Sequence, residues 1–128
     1  MKDQILVIDD DYKNIFALCA VLRSKGFSCV SAQSALEGLD LLSENKEIGI
    51  ILMDMMMPDM DGYEAISKIK TQGDLDHLPI IAVTAQAMTG DKEKCLAAGA
   101  SDYLSKPVDV DLLITKINHY LSNGLTND

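Results

Sequence analysis

Five polar positions carry the chemistry open to this chain: the pair Asp9-Asp10, the isolated Asp54, Thr84 and Lys106. The first three groups close the apolar runs Ile5 to Ile8, Ile48 to Met53 and Ile80 to Val83, and Lys106 stands just past Ser101 to Leu104. Continuous apolar runs, as opposed to alternating ones, are the mark of strands covered on both faces, which belong to parallel sheets flanked by helices. In such sheets ligands bind beyond the carboxyl ends of the strands. A single aspartate at that place is more often a cap for the next helix than a reactive group. Convergence of five polar positions on one sheet edge reverses that weighting.

Carboxylates held within a few ångströms repel one another, so in a bare pocket one of them takes up a proton or the site loses stability. A divalent cation removes the conflict. Oxygen-only donors, with no histidine or cysteine beside them, favour Mg²⁺, or Mn²⁺, over zinc, and Mg²⁺ retains waters that a phosphate oxygen can replace. A phosphoryl group arriving at Asp54 needs an in-line path for carboxylate attack and donors for its remaining oxygens. Thr84 offers a hydroxyl and Lys106 an ammonium. The product is an acyl phosphate on Asp54.

The elements that position these groups follow from the apolar spacing. Ile5 to Ile8 is a strand, and Ile15, Leu18, Cys19 and Leu22 repeat at helical spacing from Tyr12 until Gly26. Phe27 to Ser31 is a second strand, and Ser34-Ala35-Leu36-Glu37 is a capping box opening a helix that turns Leu39 and Leu42 inward. Ile48 to Met53 is the third strand, followed by the Asp54 loop and a helix from Asp61 to Thr71. The connection Gln72 to Leu78 reads as polar and mobile. Pro79 to Val83 is the fourth strand, a short helix runs from Gly90-Asp91 to Ala98-Gly99, Ser101 to Leu104 is the fifth strand, and a last helix spans Asp109 to Ser122. Strand and helix alternating five times predict a (βα)5 domain over 1–122 with a polar tail at 123–128. The expected fold is a doubly wound, flavodoxin-like three-layer sandwich with a parallel sheet in the order 2-1-3-4-5.

Composition narrows the function classes. The chain has 128 residues, 48% hydrophobic, and a formal net charge of −9 from 20 acidic and 11 basic residues. That length suits one domain burying about two-thirds of its unfolded surface. The charge argues against nucleic acid or an anionic membrane as a partner. No apolar run approaches a signal-peptide core or the ~20 residues of a membrane span, so a cytoplasmic protein is expected. Cys19, Cys29 and Cys95 show no metal-ligand spacing and read as small core residues of a reducing compartment. His77 and His119 read as isolated surface or helix-end histidines. The methionines between Met53 and Met60 read as gap-filling residues at a loop root.

The motifs Ile8-Asp9-Asp10, Met53-Asp54 through Pro58-Asp59-Met60-Asp61-Gly62, Ala82-Val83-Thr84-Ala85, Gly99 to Tyr103 and Ser105-Lys106-Pro107 together resemble those of the receiver domains of response regulators in two-component signalling. The resemblance covers nearly the whole chain. It implies that Asp54 is the phosphoacceptor, taking its phosphoryl group from the phosphohistidine of a histidine kinase or histidine phosphotransfer protein. It also implies that Asp10, Asp54 and the Met56 backbone carbonyl hold Mg²⁺, with Asp9 acting mainly through a metal-bound water. Thr84 and Tyr103 are then the switch residues, Lys106 pairs with Asp54 or the phosphoryl group, and the Lys106-Pro107 bond is cis. The implied protein has no organic cofactor and catalyses only its own phosphorylation and dephosphorylation. It is a monomer or a phosphorylation-dependent weak dimer, docks its kinase on the first helix near Tyr12, Ile15 and Phe16, and signals to an unspecified effector through its fourth helix, fifth strand and fifth helix. Met56 and Gln86 flank the path of hydrolytic water without an acid or base, from which slow or intermediate autodephosphorylation is expected.

Rival readings use the same residues differently. Asp9-Asp10-Asp11 contains the D-x-D of magnesium-dependent phosphohydrolases, in which Asp9 would be the nucleophile, although that class needs a longer chain and a cap. An FMN-binding flavodoxin requires a phosphate-cradling loop after the first strand, where this chain places three acids. A receiver that serves only as an interaction module has no need of the full Asp10, Asp54, Thr84 and Lys106 set. Met1 and the polar tail suit a freestanding regulator, while Leu78 to Val108 also resembles receivers excised from hybrid sensor histidine kinases.

Overall fold

β3 (Ile48–Asp54) is buried along its whole length, and the sheet is built outward from it. In the computed structural model, which describes residues 3–56, 62–73, 75–85 and 90–126, five parallel strands pair in the order β2-β1-β3-β4-β5. β1 is Gln4–Ile8, β2 Cys29–Ala32, β4 Ile80–Thr84 and β5 Asp102–Ser105. The intervening helices are α1 (Tyr12–Ser24), α2 (Ala35–Glu44), α3 (Gly62–Lys70), α4 (Asp91–Ala98) and α5 (Val110–Thr126). The expected (βα)5 architecture and strand order are present.

Because successive strand side chains point to opposite faces, the sheet divides its apolar residues between two cores. Ile5, Val7, Ile50, Leu52, Ile81 and Val83 pack with Ile15, Cys19 and Leu22 of α1 and with Leu113 and Ile117 of α5. Leu6, Ile8, Ile51, Met53, Ile80 and Ala82 pack on the other face against Leu42 of α2, Ile66 and Ile69 of α3 and Cys95 of α4. This two-faced covering is what the unbroken apolar runs demanded.

Local chemistry accounts for the element boundaries. Asp11 caps α1, its carboxylate accepting from the Lys13 amide at 2.9 Å. The helix closes in a Schellman arrangement, in which Gly26 adopts φ 92°, its amide donates to the Arg23 carbonyl and the Phe27 amide donates to the Leu22 carbonyl. Phe27 is therefore spent on the helix end, and β2 starts at Cys29, two residues later than the sequence suggests. Ser34 caps α2 as predicted, accepting from the Glu37 amide at 3.1 Å. The Glu37 carboxylate reaches back to the Gln33 amide at 3.4 Å, one residue before the position that a full capping box uses.

Two expectations need correction. The connection after α3 is anchored: Leu75 and Leu78 are buried, and the Lys70 ammonium donates to the Asp76 carbonyl at 3.1 Å and the Leu78 carbonyl at 2.7 Å. α5 runs on to Thr126 past the predicted stop at Ser122, since a single glycine weakens a helix by about 1 kcal/mol without blocking it. The cysteines are the small core residues expected: all three are buried free thiols, and Cys19 and Cys29 face each other across α1 and β2 with sulfurs 2.6 Å apart. The histidines are as expected: His77 is exposed beside Asp76, and His119 is exposed and edge-on to the Tyr120 ring.

A polar cluster fastens β5 to α5 at the amino-terminal end of the strand. Asp102 accepts from Lys116 Nζ at 2.9 Å and from the Tyr103 amide at 2.8 Å, and the Tyr120 hydroxyl lies 3.1 Å from its Oδ2 and 2.9 Å from the Ser101 carbonyl. Burial by itself pushes the Asp102 carboxyl upward, but these donors together hold it below the usual carboxylate range. A depressed folded-state value means that the stabilisation is present above the unfolded value of 3.8 and is lost as the pH falls through the folded one. Asp102→Asn is thus expected to cost about 1–2 kcal/mol at neutral pH. Urea melts of the two proteins over a pH series should show that gap closing in acid.

Candidate phosphoacceptor and metal site

The sheet register assembles the site. Ile8 pairs with Met53, Asp54 with Val83, and Thr84 with Ser105, so the residues that close or follow β1, β3, β4 and β5 line up along one carboxyl edge. Backbone hydrogen bonds carry this alignment past the strand ends. The Asp9 amide donates to the Ala32 carbonyl (3.1 Å), the Met55 amide to the Val83 carbonyl (3.0 Å) and the Lys106 amide to the Thr84 carbonyl (2.8 Å).

Carboxylate oxygens of Asp9, Asp10 and Asp54 all lie within 4.8 Å of one another. Asp9 and Asp54 are buried, whereas Asp10 is exposed at the mouth. Lys106 Nζ sits between the two buried acids, 3.5 Å from Asp9 Oδ2 and 3.6 Å from Asp54 Oδ1. The sequence suggested the Asp54 contact; the one to Asp9 is additional. Thr84 is buried on the neighbouring strand end, and the Lys106–Pro107 bond is cis. Tyr103 is half-buried, packed against the core that contains Ala82 and Cys95.

Backbone donors orient the acids. The Asp11 amide donates to Asp9 Oδ1 at 2.9 Å, and the Met56 amide donates to Asp54 Oδ1 at 3.1 Å. Asp11 therefore has two tasks, capping α1 and steering Asp9, neither among the roles expected from the sequence; an aspartate immediately before an amphipathic helix is the signal that points to the cap. Met56 is exposed at the rim. Gly62 opens α3 against the root of the Asp54 loop, where a Cβ would meet Met55 Cα at 2.7 Å, so only glycine allows this approach. Pro58 and Gln86 lie outside the described residues.

Electrostatically the site is poised against a bare carboxylate. Burial is the largest influence on Asp54, and with the neighbouring Asp9 charge it raises the carboxyl above the usual range despite the opposing Met56 amide and Lys106 ammonium. A cavity of about 520 Å³ beside Asp9, Asp54 and Lys106, walled by Leu18, Val21, Leu52, Val83 and Val108, contributes the apolar surroundings. Three oxygen donors without histidine or cysteine suit a hard divalent cation, which would relieve the Asp9–Asp54 repulsion. The donor set fits Mg²⁺.

With this geometry in place, similarity to known proteins is informative. A family model described as the response regulator receiver domain matches residues 5–118. The polar-differentiation response regulator DivK of Brucella anthropi is 33% identical over 124 residues, covering 97% of this chain and 100% of DivK. The solved CheY-like receiver domain protein of Methanospirillum hungatei superposes with a TM-score of 0.88 at 30% identity, covering 100% of both chains. The signal receiver domain of a signal transduction histidine kinase from Syntrophus aciditrophicus gives 0.86 at 28% identity, covering 94% of this chain and 91% of that one. The family is one of signalling proteins, not of classical enzymes, and its members typically bind Mg²⁺ in an acidic pocket. The acid-lined edge, the switch-point topology and the agreement over almost the full length lead to one conclusion: this chain belongs to the response regulator receiver domain family.

Proposed function

We propose that Asp54 is the phosphoacceptor of a phosphorelay and takes its phosphoryl group from a phosphohistidine on a histidine kinase or histidine phosphotransfer protein. The observation that carries this reading is the clustering of Asp9, Asp10 and Asp54 with Lys106 bridging two of them and Thr84 on the adjoining strand end. An Asp54 oxygen attacks phosphorus in line, the O–P bond forms as the P–N bond breaks, and the departing imidazole takes a proton. Asp9, Asp10, Asp54 and the Met56 carbonyl would hold Mg²⁺, with Asp9 acting through water. Bound Mg²⁺ supplies charge neutralisation to the acids and the phosphoryl oxygens. The Thr84 hydroxyl donates to one phosphoryl oxygen, and Lys106 shifts its pairing toward the new charge.

The same proposal covers signalling. Phosphorylation adds charge and acceptor oxygens at the sheet edge and draws Thr84 and Lys106 inward, with Tyr103 following, which biases the α4-β5-α5 face toward an effector-binding state. α4 is suited to that role, since Cys95 is its only buried residue and no side chain caps its start at Gly90. Tyr12 and Phe16, 64% and 66% exposed one turn apart on α1, offer the apolar contact for the phosphohistidine partner, whereas Ile15, expected beside them, is buried in the core and takes no part. No described helix is long and apolar enough to cross a membrane. A cytoplasmic setting belongs to the proposal on the strength of the signalling family.

Mixing the protein with a radiolabelled phosphohistidine protein tests the reading. Label should transfer only with Mg²⁺ present and should be released by hydroxylamine, as an acyl phosphate is; failure with a panel of active donors, alongside no labelling by phosphoramidate, contradicts it. Thr84→Ala is expected to keep the acceptor but slow labelling roughly 10-fold, for loss of one neutral hydroxyl donor. Hydrogen exchange at β5 and α5 should then no longer respond to beryllofluoride, which mimics the phosphoryl group. An undiminished response would remove Thr84 from the switch.

A further inference from the structure

We propose that Cys19 and Cys29 form an oxidisable dithiol site, converted by a peroxide into an intramolecular disulfide that staples α1 to β2. The two sulfurs face each other 2.6 Å apart inside the core on the α1–α5 face of the sheet, with both residues buried. The backbone is held at this point: the Arg23 guanidinium on the last turn of α1 donates to the Cys29 carbonyl at 3.1 Å, and the Phe27 amide closes the connection onto Leu22. The link therefore closes a short, already folded segment. Cys95 belongs to the opposite core, across the sheet from both thiols.

Access comes from topology. Among the described residues β2 is an edge strand paired to β1 alone, and Cys29 is its first residue, so this corner opens with less free energy than the sheet centre. Burial, and then the adjacent Cys19, push the Cys29 thiol up, which makes Cys29 a poor nucleophile while closed, and with both sulfurs buried the reaction is confined to the opened state. There, one thiolate attacks the peroxide O–O bond, becomes a sulfenic acid and expels hydroxide. The second sulfur displaces water from the sulfenic acid and forms the S–S bond. In sum, two thiols lose two protons and two electrons, and one peroxide becomes two waters. The staple lies apart from Asp54 and does not depend on phosphoryl acceptance there.

The test uses the full chain treated with hydrogen peroxide, in parallel with Cys95→Ser, Cys19→Ala and Cys29→Ala. The expected product has lost the mass of two hydrogens and gives one non-reduced peptide joining Cys19 to Cys29, reversed by dithiothreitol. It forms equally well in Cys95→Ser and not at all in the other two variants. Closure of so short a loop should raise Tm by several degrees. The proposal is overturned if the native chain accumulates sulfinic or sulfonic acids in place of the link, if the link involves Cys95 or a second molecule, or if the thiols stay reduced while the urea-unfolded chain oxidises readily.

Discussion

Asp54→Asn is expected to abolish phosphoryl acceptance entirely while raising the stability of the metal-free protein by about 1–2 kcal/mol. The loss of function follows from chemistry: an amide oxygen is a poor nucleophile and cannot form the acyl phosphate. The gain in stability follows from the site's electrostatics. Asp54 is 4% exposed, and burial with the adjacent Asp9 raises its carboxyl, so its ionised form works against folding. The sign is the reverse of that at Asp102. With a raised folded-state value, the native chain holds the proton more tightly, so the favourable contribution is complete below the unfolded value of 3.8 and disappears as the pH rises through the folded one. The substitution removes that leg of the stability profile, while the amide oxygen can still accept from the Met56 amide. Thermal melts with and without Mg²⁺ check both halves. Mg²⁺ should raise Tm of the native protein strongly and that of the variant little, and a marked fall in metal-free Tm on substitution would contradict the account.

Lys106→Met produces the complementary result. Its ammonium lies 3.5 Å from Asp9 and 3.6 Å from Asp54 and is only 26% exposed, so its removal leaves two buried acids without their cation and is expected to cost the metal-free protein about 1–3 kcal/mol. With Mg²⁺ held by the proposed acids, the ammonium would also compete with the cation for the same oxygens. Mg²⁺ should consequently bind the variant more tightly, even as phosphorylation slows by about 100-fold for want of a charge on the developing phosphoryl oxygens. Calorimetric titration with Mg²⁺ and stopped-flow labelling by phosphoramidate separate the two effects. Unchanged or weaker Mg²⁺ binding would mean that Lys106 does not share the acids with the metal. Tighter binding with full labelling speed would leave it a structural ion pair only.

Much of this arrangement could be read from residue order. The apolar run ahead of Asp54 announced a strand buried on both faces, and β3 is buried throughout. Strand ends then convey position, because parallel pairing in the order 2-1-3-4-5 brings Asp9, Asp54, Thr84 and Lys106 to one edge whatever the loops do. What escaped depends on contacts that periodicity does not encode. Phe27 looks like a strand residue until the Schellman closure claims its amide. The connection after α3 is polar in composition, yet Leu75, Leu78 and the reach of Lys70 anchor it. The Cys19–Cys29 pairing requires knowing which turn of α1 crosses the start of β2, a matter of helix placement over the sheet. The Asp9–Lys106 contact likewise rests on a side-chain path that spacing leaves open.

Locating the covalent phosphoryl group tests the central claim most directly. The protein would be incubated with phosphoramidate and Mg²⁺, the acyl phosphate reduced with borohydride, and the digest mapped by mass spectrometry. The account predicts homoserine at position 54 alone, with no modification when Mg²⁺ is chelated or when Asp54→Asn is used. Reduction at Asp9 in place of Asp54, or modification that survives Asp54→Asn unchanged, would contradict it and favour a phosphohydrolase-like use of the first strand's acids.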